Sequence, residues 1–432
     1  MPLATLIDHL LSLLLWVIWS SVFLNWAPFL LCLLRYPLAC LARGRLPPKE
    51  GEGKKLWSPK HRFAVLIPAH NEGYVLPYLL DALNMQSYPR DLYTVYVAAD
   101  RCTDDTVQVG KAKGAHVTER WEGPSGKSWN IRYALERIPL AAYDYLVVVD
   151  ADNLVPRDFL AELDRFLQEN PDTKAVQAYL DTKNPSDSWL TRAIALAYWL
   201  TNLAWFRPRE MLGLSVTLGG TGMAIASGYL RERGWNARTL TEDLEMHVNL
   251  VLEGERVRYC ERAKVYDEKP LTLKAAYRQR VRWLQGHWYL FFARAWPLLK
   301  IVLRPRERSL GSALDALQYL FIPARYLMML VYLLLVLLQA FFLPPEENLH
   351  HFRIWMLQLL FIFAIGAGTF SSFARYRKLK PGIVLSSLVL IPFGFVWLLA
   401  SFEALTKFKK QEKWVKTQHI KTIKLDELDP GV

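Results

Sequence analysis

Two apolar blocks, residues 5–34 and 318–405, bracket a middle of ordinary soluble composition, and this arrangement limits the possible folds more than any other feature. A helical bilayer crossing takes about 20 mostly apolar residues. Segments 10–34, 318–343, 352–372 and 383–405 are each long enough, and their cores are read as free of ionisable groups. The first is expected to be a retained anchor and not a cleaved signal. No Lys or Arg precedes it, the apolar run is too long, and no small-residue cleavage pattern follows.

The formal charge of +12 lies largely beside these segments. Arg35, Arg43, Arg45, Lys49, Lys54 and Lys55 follow the first; Arg375, Arg377, Lys378 and Lys380 separate the last two. The positive-inside rule then puts residues 51–270 in the cytosol, and the whole becomes a multi-pass protein of the cell membrane. Basic charge placed so is attracted to anionic lipid. No basic run interleaves with a nucleic-acid-binding motif, so no nucleic-acid partner is expected. The lysine-rich tail conflicts with four full crossings, and Pro392 and Gly394 leave open a re-entrant last segment. The expected organisation is an anchor with its basic flank (1–50), a cytosolic domain (51–270), interfacial amphipathic helices (271–317), C-terminal spans (318–405) and a basic tail (406–432). Cys32, Cys40, Cys102 and Cys260 show no metal-ligand spacing and are expected to be reduced thiols.

Within the middle, short apolar runs alternate with amphipathic stretches. Strands are expected at Arg62–Pro68, Tyr93–Ala99, Ala115–Glu119, Tyr145–Val149 and Lys174–Tyr179. Helices are expected at Tyr74–Met85, Thr103–Lys113, Lys127–Arg137 and Arg157–Gln168. The alternation predicts an α/β fold whose mostly parallel sheet carries helices on both faces. Ligands of such sheets bind at the carboxyl ends of the strands. Polar or acidic residues follow three of them, at Pro68–Glu72, Ala99–Asp105 and Asp150–Asn153.

Asp150 and Asp152 flank one residue at a strand end. Magnesium-like cations take one or two carboxylates plus substrate phosphates, which suits this pair; aspartates in a turn or helix cap suit it equally. Asp100 adds a second acidic strand end, and Thr103, not Asp100, is expected to cap the next helix. In Thr239-Leu-Thr-Glu-Asp-Leu-Glu245, Thr239 and Glu242 have capping-box spacing, which leaves Asp243 available as a general base. Tyr277–Trp283 reads as an interfacial helix, with Gln279 and Trp283 four apart on one face. The glycines of Leu218–Met223 read equally as a close backbone approach to a ligand or as a tight turn.

Taken in order, Ile67-Pro-Ala-His-Asn-Glu72, Asp100, Asp150-Ala-Asp152, Thr241-Glu-Asp243 and Gln279-Arg-Val-Arg-Trp283 resemble the inverting family-2 glycosyltransferases. The likeness extends to the membrane-bound branch with cellulose, hyaluronan, chitin-oligosaccharide and poly-N-acetylglucosamine synthases. It implies a GT-A nucleotide-diphospho-sugar transferase domain and a UDP-sugar donor. By position, Asp100 would meet the uracil end, and Pro68, Ala69, Glu72 and Lys127 would line the nucleotide pocket. Asp150 and Asp152 would hold the diphosphate with Mg2+ or Mn2+, and Asp243 would be the base. Glu242, Gln279, Arg282 and Trp283 would line the acceptor and diphosphate. Trp414–Thr417 is similar to a C-terminal motif of the branch.

The expected product is a β-linked polysaccharide made processively; transfer to a membrane lipid is the rival, since one span before the domain and three after depart from the branch's usual pattern. A transporter with a regulatory domain would call for ionisable groups inside the spans.

Overall fold

The computed structural model describes residues 3–43, 57–304, 310–342, 381–411, 422–423 and 425–428. The expected span at 352–372 and the Trp414–Thr417 motif lie outside them. The middle of the chain forms one seven-stranded sheet. Its strands are β1 Phe63–Ala69, β2 Tyr93–Asp100, β3 His116–Arg120, β4 Tyr145–Val148, β5 Ala175–Thr182, β6 Met223–Ala226 and β7 Val257–Asp267. The spatial order is β3-β2-β1-β4-β6-β5-β7.

β1 is buried at every position, as a continuous apolar run in the centre of a parallel sheet must be. It pairs in parallel with β2 and with β4, and β2 pairs in parallel with β3. The five strands read from the sequence are all present, within a few residues. Two were not anticipated. β6 is antiparallel to both β4 and β5, and β7 runs parallel to β5, so the sheet is mixed. Because β6 runs backwards, its entry, the glycine turn 218–222, reaches the same edge as the carboxyl ends of β1, β2, β4 and β7.

The helices in chain order are α1 Leu3–Arg43, α2 Leu76–Asn84, α3 Thr106–Ala112, α4 Lys127–Leu135, α5 Phe159–Glu169, α6 Trp189–Thr201, α7 Arg207–Met211, α8 Ser227–Arg233, α9 Glu242–Leu252, α10 Leu273–Leu303, α11 Leu310–Leu320, α12 Ile322–Phe342 and α13 Pro381–Lys407. α2 and α5 cover one face of the sheet, their Leu76, Leu79, Phe159 and Leu163 packing on Val65, Val147 and Val176. α4, α8 and α9 cover the other, where Ile131, Leu230 and Met246 meet Leu66, Leu146 and Ile225.

Two caps differ from expectation. Thr103 does not cap α3: its N–H donates to Asn71 Oδ1 at 2.6 Å, the helix begins three residues later, and Asp104 Oδ1 accepts from Thr106 N at 3.1 Å. Nor do Thr239 and Glu242 form a capping box. α9 starts at Glu242 itself, and Glu245 Oε2 accepts from the N–H groups of Arg238 (2.7 Å) and Thr239 (2.8 Å). The physical reason lies in Lys127, which draws the Glu242 carboxylate to 3.3 Å and away from the backbone.

Among the described residues, one helix segment, His9–Cys32, is long and apolar enough on its own to cross a membrane. Leu310–Leu320 and Ile322–Leu338 meet the same measure together, across a 44° bend. The expected span at 318–343 therefore begins with a bend, and Arg325 within it departs from the reading of uncharged cores. This guanidinium is buried and donates to Ser21 Oγ of α1 at 3.1 Å. α13 runs without a break through Pro392 and Gly394.

The apolar helices are joined to the sheet domain by a buried ion pair. Arg209 of α7 is fully buried and donates from Nε and Nη2 to the two oxygens of Asp315 of α11, each at 2.7 Å. Its Nη2 also reaches the Asn25 carbonyl of α1 at 3.3 Å, and its Cζ lies 3.4 Å from the Trp205 ring centroid. Such bidentate pairing is the geometry in which a buried guanidinium is tolerated.

Candidate active site

The carboxyl edge of the sheet encloses a cavity of about 330 Å³. Its lining includes every site residue that the resemblance implies: Pro68, Ala69 and Glu72 after β1, Asp100 at the end of β2, and Lys127 at the start of α4. Asp150 and Asp152 after β4, Glu242 and Asp243 on α9, and Gln279, Arg282 and Trp283 on α10 complete the set.

Local backbone geometry turns these side chains inward. Asn71 and Arg101, immediately beyond β1 and β2, adopt left-handed φ values of 56° and 51°. Asn and Asp adopt that region more readily than most residues; for Arg101 it is a departure. The bend lets Arg101 Nη1 return to Asp100 Oδ1 at 2.8 Å, while Arg120 Nη1, from the end of β3, meets the same oxygen at 2.7 Å. Arg120 is buried and was not anticipated from the sequence.

A run of charges lies at the middle of the cavity. Lys127 Nζ stands 2.5 Å from Asp150 Oδ1, 3.3 Å from Glu242 Oε1 and 2.6 Å from the Gly220 carbonyl. Burial works to lower the Lys127 pKa, but Asp150 and Glu242 outweigh it and hold the ammonium above its ordinary range. Burial pushes the Asp150 carboxyl up, opposed by Lys127. Asp243 is pushed up to about 7, first by burial and then by the Glu242 charge. The Arg282 guanidinium faces Glu242, Asp150 and Asp243, and burial lowers its pKa.

Gly220 sets the turn at 218–222. With φ +82° it turns the chain, and a Cβ there would lie 3.2 Å from Asp243 Oδ2 and 3.6 Å from Lys127 Nζ. It is a tight turn, and it brings the backbone close to the Asp243 and Lys127 side chains. Thr221 extends the same turn toward β4, its Oγ1 accepting from Asp150 N at 3.1 Å. A second glycine sets the position of α9. Gly286 of α10 packs against Thr241, and any Cβ at 286 would overlap the Thr241 hydroxyl oxygen. The segment bearing Asp243 is thus clamped between a turn and a helix.

A second charged group at the end of β7 lay outside the sequence reading. Asp267 forms an ion pair with Lys269, whose Nζ sits 3.0 Å from the centroid of the Tyr198 ring, while Lys183 bonds Glu268 at 3.0 Å and the Asp152 carbonyl at 2.7 Å. Burial raises the Asp267 pKa and lowers that of Lys269, against their mutual attraction. The signal was an acid at the end of a strand, the pattern already seen at Asp100 and Asp150, in a stretch not read as a strand.

Among the described residues, no three carboxylate, imidazole or thiol groups gather to form a complete metal site. The donor set of Asp150 and Asp152 still suits magnesium or manganese, which commonly use one or two carboxylates plus substrate phosphates and water. The backbone N–H of Asp150 is held by Thr221, and its carboxylate by Lys127 through Oδ1.

The chain is 28% identical over 256 residues to a probable glucomannan 4-beta-mannosyltransferase of Oryza sativa, covering 54% of this chain and 43% of that one. It is 27% identical over 236 residues to beta-monoglucosyldiacylglycerol synthase of Synechocystis, covering 53% and 48%. The chain thus spans about half the length of these curated relatives. Among solved structures, the mannosyltransferase PcManGT of Pyrobaculum calidifontis, in complex with GDP-Man and Mn2+, superposes with a TM-score of 0.57 at 17% identity. That likeness covers 94% of this chain and 100% of the other and bears on the fold, which is of the GT-A type. Relatives that make mannosyl or glucosyl products stand beside the synthase branch expected from the motifs, so the narrower likeness to cellulose and hyaluronan synthases is not established by them. Residues 59–286, more than half the chain, match the model of the glycosyltransferase like family 2, and the chain belongs to that enzyme family.

Proposed function

We propose that this protein is an inverting glycosyltransferase that moves a sugar from a nucleoside-diphosphate donor to an acceptor hydroxyl at a membrane surface. The observation that carries the reading is the single cavity shared by Asp243, the Asp150/Asp152 pair and Lys127. In it the donor's nucleoside lies toward Asp100, Pro68, Ala69 and Glu72, and its diphosphate toward Lys127 and Arg282. Asp243 takes the acceptor's proton. The alkoxide oxygen forms a bond to the anomeric carbon as the bond to the diphosphate oxygen breaks, from opposite faces, so the configuration inverts. The nucleoside diphosphate leaves with the bonding pair, and Arg282 and Lys127 face the charge that develops. A divalent cation held by Asp150 and Asp152 would supply further neutralisation of that leaving group. Gln279 and Trp283 border the acceptor side, and Glu242 keeps Lys127 in place.

The α1 helix and the bent α11–α12 pair support a membrane-bound enzyme whose sheet domain lies at the cytosolic face. For the product we favour a glycolipid, in keeping with the cavity's continuation beside α10 and α13. The likeness to plant glucomannan mannosyltransferases supports a β-linked polymer as the second reading. The test is a panel of UDP- and GDP-sugars, following nucleoside diphosphate release with Mg2+, Mn2+ or EDTA in the presence of membrane lipid. Release from one donor that depends on the cation is expected. Solvent-extractable label identifies a glycolipid and label of high molecular mass a polymer; no release from any donor would rule the reading out.

A further inference from the structure

The cavity opens at Gln279, Arg282 and Gln411 into a groove of about 1790 Å³ between the loop at 236–239, α10 and the end of α13. Its acids are already engaged. Glu245 caps the backbone at Arg238 and Thr239, Glu268 pairs with Lys183, and Glu403 pairs with Lys407 at 2.6 Å and accepts from Tyr277 at 2.6 Å. Several of its cations are not. Arg278, Arg294 and Lys410 have no carboxylate partner among the described residues. The groove is therefore a net positive trough leading to the reacting atoms.

Its position selects the kind of anion. Arg278 lies one turn before Arg282 on α10, about 6 Å along the axis at ~1.5 Å per residue. An anionic group at Arg278 would thus sit one turn from the donor diphosphate. Beyond it, Tyr289, Phe292 and Trp296 are exposed on the same helix around Arg294. Exposed aromatics among arginines are the composition of a helix lying in the headgroup region of a bilayer, where rings enter the acyl boundary and guanidinium groups meet phosphates. A free sugar phosphate would have no use for those rings; a lipid would.

We infer that the groove is an acceptor subsite for a lipid whose head group carries both a phosphate and a free hydroxyl, the phosphate held by Arg278 and Lys410 and the hydroxyl presented to Asp243. This inference rests on the proposed transfer reaction. The proton, the new glycosidic bond and the departing nucleoside diphosphate balance as in that reaction, and the lipid phosphate is unchanged. The phosphate acts as a handle.

The test uses the full chain in phosphatidylcholine vesicles doped with phosphatidylglycerol or phosphatidylinositol, which have phosphate and hydroxyl. Parallel vesicles carry diacylglycerol, which has the hydroxyl alone, together with phosphatidic acid to match the surface charge. Label transferred from the donor into extractable lipid is measured. At least tenfold more transfer to the hydroxylated phospholipids is expected. Arg278→Glu and Lys410→Glu should raise the lipid KM about tenfold or more, with a smaller change in kcat, and Arg278→Lys should restore it. Equal transfer to diacylglycerol at matched charge, or an unchanged KM in both charge reversals, would overturn the inference and leave the groove as a general bilayer contact. Release of nucleoside diphosphate without phospholipid labelling sinks the acceptor assignment alone; absence of release in every vesicle sinks the transfer reaction itself.

Discussion

Lys127 places its ammonium 2.5 Å from one carboxylate, Asp150, and 3.3 Å from another, Glu242, joining the strand end after β4 to the first turn of α9. Three acids of the cavity, Asp150, Glu242 and Asp243, each act on its charge. Replacing it with Met would leave them facing one another, and like charges raise each other's pKa. Lys127→Met is expected to move the acidic limb of the kcat/KM–pH profile upward by ~0.5–1 unit, in addition to lowering its plateau. A profile that drops without moving would show that Lys127 does not set the charge state of the base.

Asp243 must be ionised to accept a proton. Its carboxyl is raised to about 7 by burial and by Glu242, so activity should fall as the pH is lowered through that region. Asp243→Asn removes the proposed base and is expected to cost ~10²–10⁴-fold in kcat, the usual contribution of general base catalysis. Calorimetric titration with the nucleoside diphosphate should show near-normal affinity. A variant turning over at the wild-type rate would move the base elsewhere.

Asp152 is buried beside Lys183, its carbonyl accepting from that ammonium at 2.7 Å. The backbone interaction survives substitution; the carboxylate does not. Asp152→Ala should therefore retain its thermal transition while losing the part of nucleotide binding that depends on Mn2+ or Mg2+. Identical metal dependence in variant and wild type would argue against Asp152 as a ligand.

Gly286→Ala introduces one methyl group where Thr241 already stands. Overpacking of this kind costs ~1–3 kcal/mol when neighbours must shift. Here the neighbour is the residue before α9, so Asp243 should move with it. The variant is expected to lose much more activity than stability, read as kcat against the midpoint of thermal unfolding. Equal losses, or neither, would mean that α10 does not position the base.

The strands that were legible from the sequence were those whose burial is uniform. β1 and β4 are unbroken apolar runs, and β2 nearly so, because each lies inside the sheet, between two neighbouring strands, with both faces covered. β6 was not legible: four residues, Met223–Ala226, follow a glycine turn and pair backwards with strands from either side. That insertion carries Gly220 to Asp243 and Lys127, so the sequence could point to the residues that line the cavity without revealing what holds them together. The caps failed for a related reason. Capping-box spacing is a local rule, and a lysine more than a hundred residues away claimed Glu242. Arg120 was hidden for the opposite reason, since nothing in a lone arginine at the end of a short edge strand indicates that Asp100 is its partner.

The buried contact of Arg209 with Asp315 and the Asn25 carbonyl has a practical consequence for anyone isolating the enzyme. A fragment ending before α11 would strand a guanidinium in an apolar interior, and one beginning after α1 would strip away part of its remaining solvation. Uncompensated charge of that sort costs ~3–5 kcal/mol, a large share of a typical domain's margin. Soluble catalytic fragments trimmed at the obvious composition boundaries should express poorly unless Arg209 is exchanged for a neutral side chain at the same time.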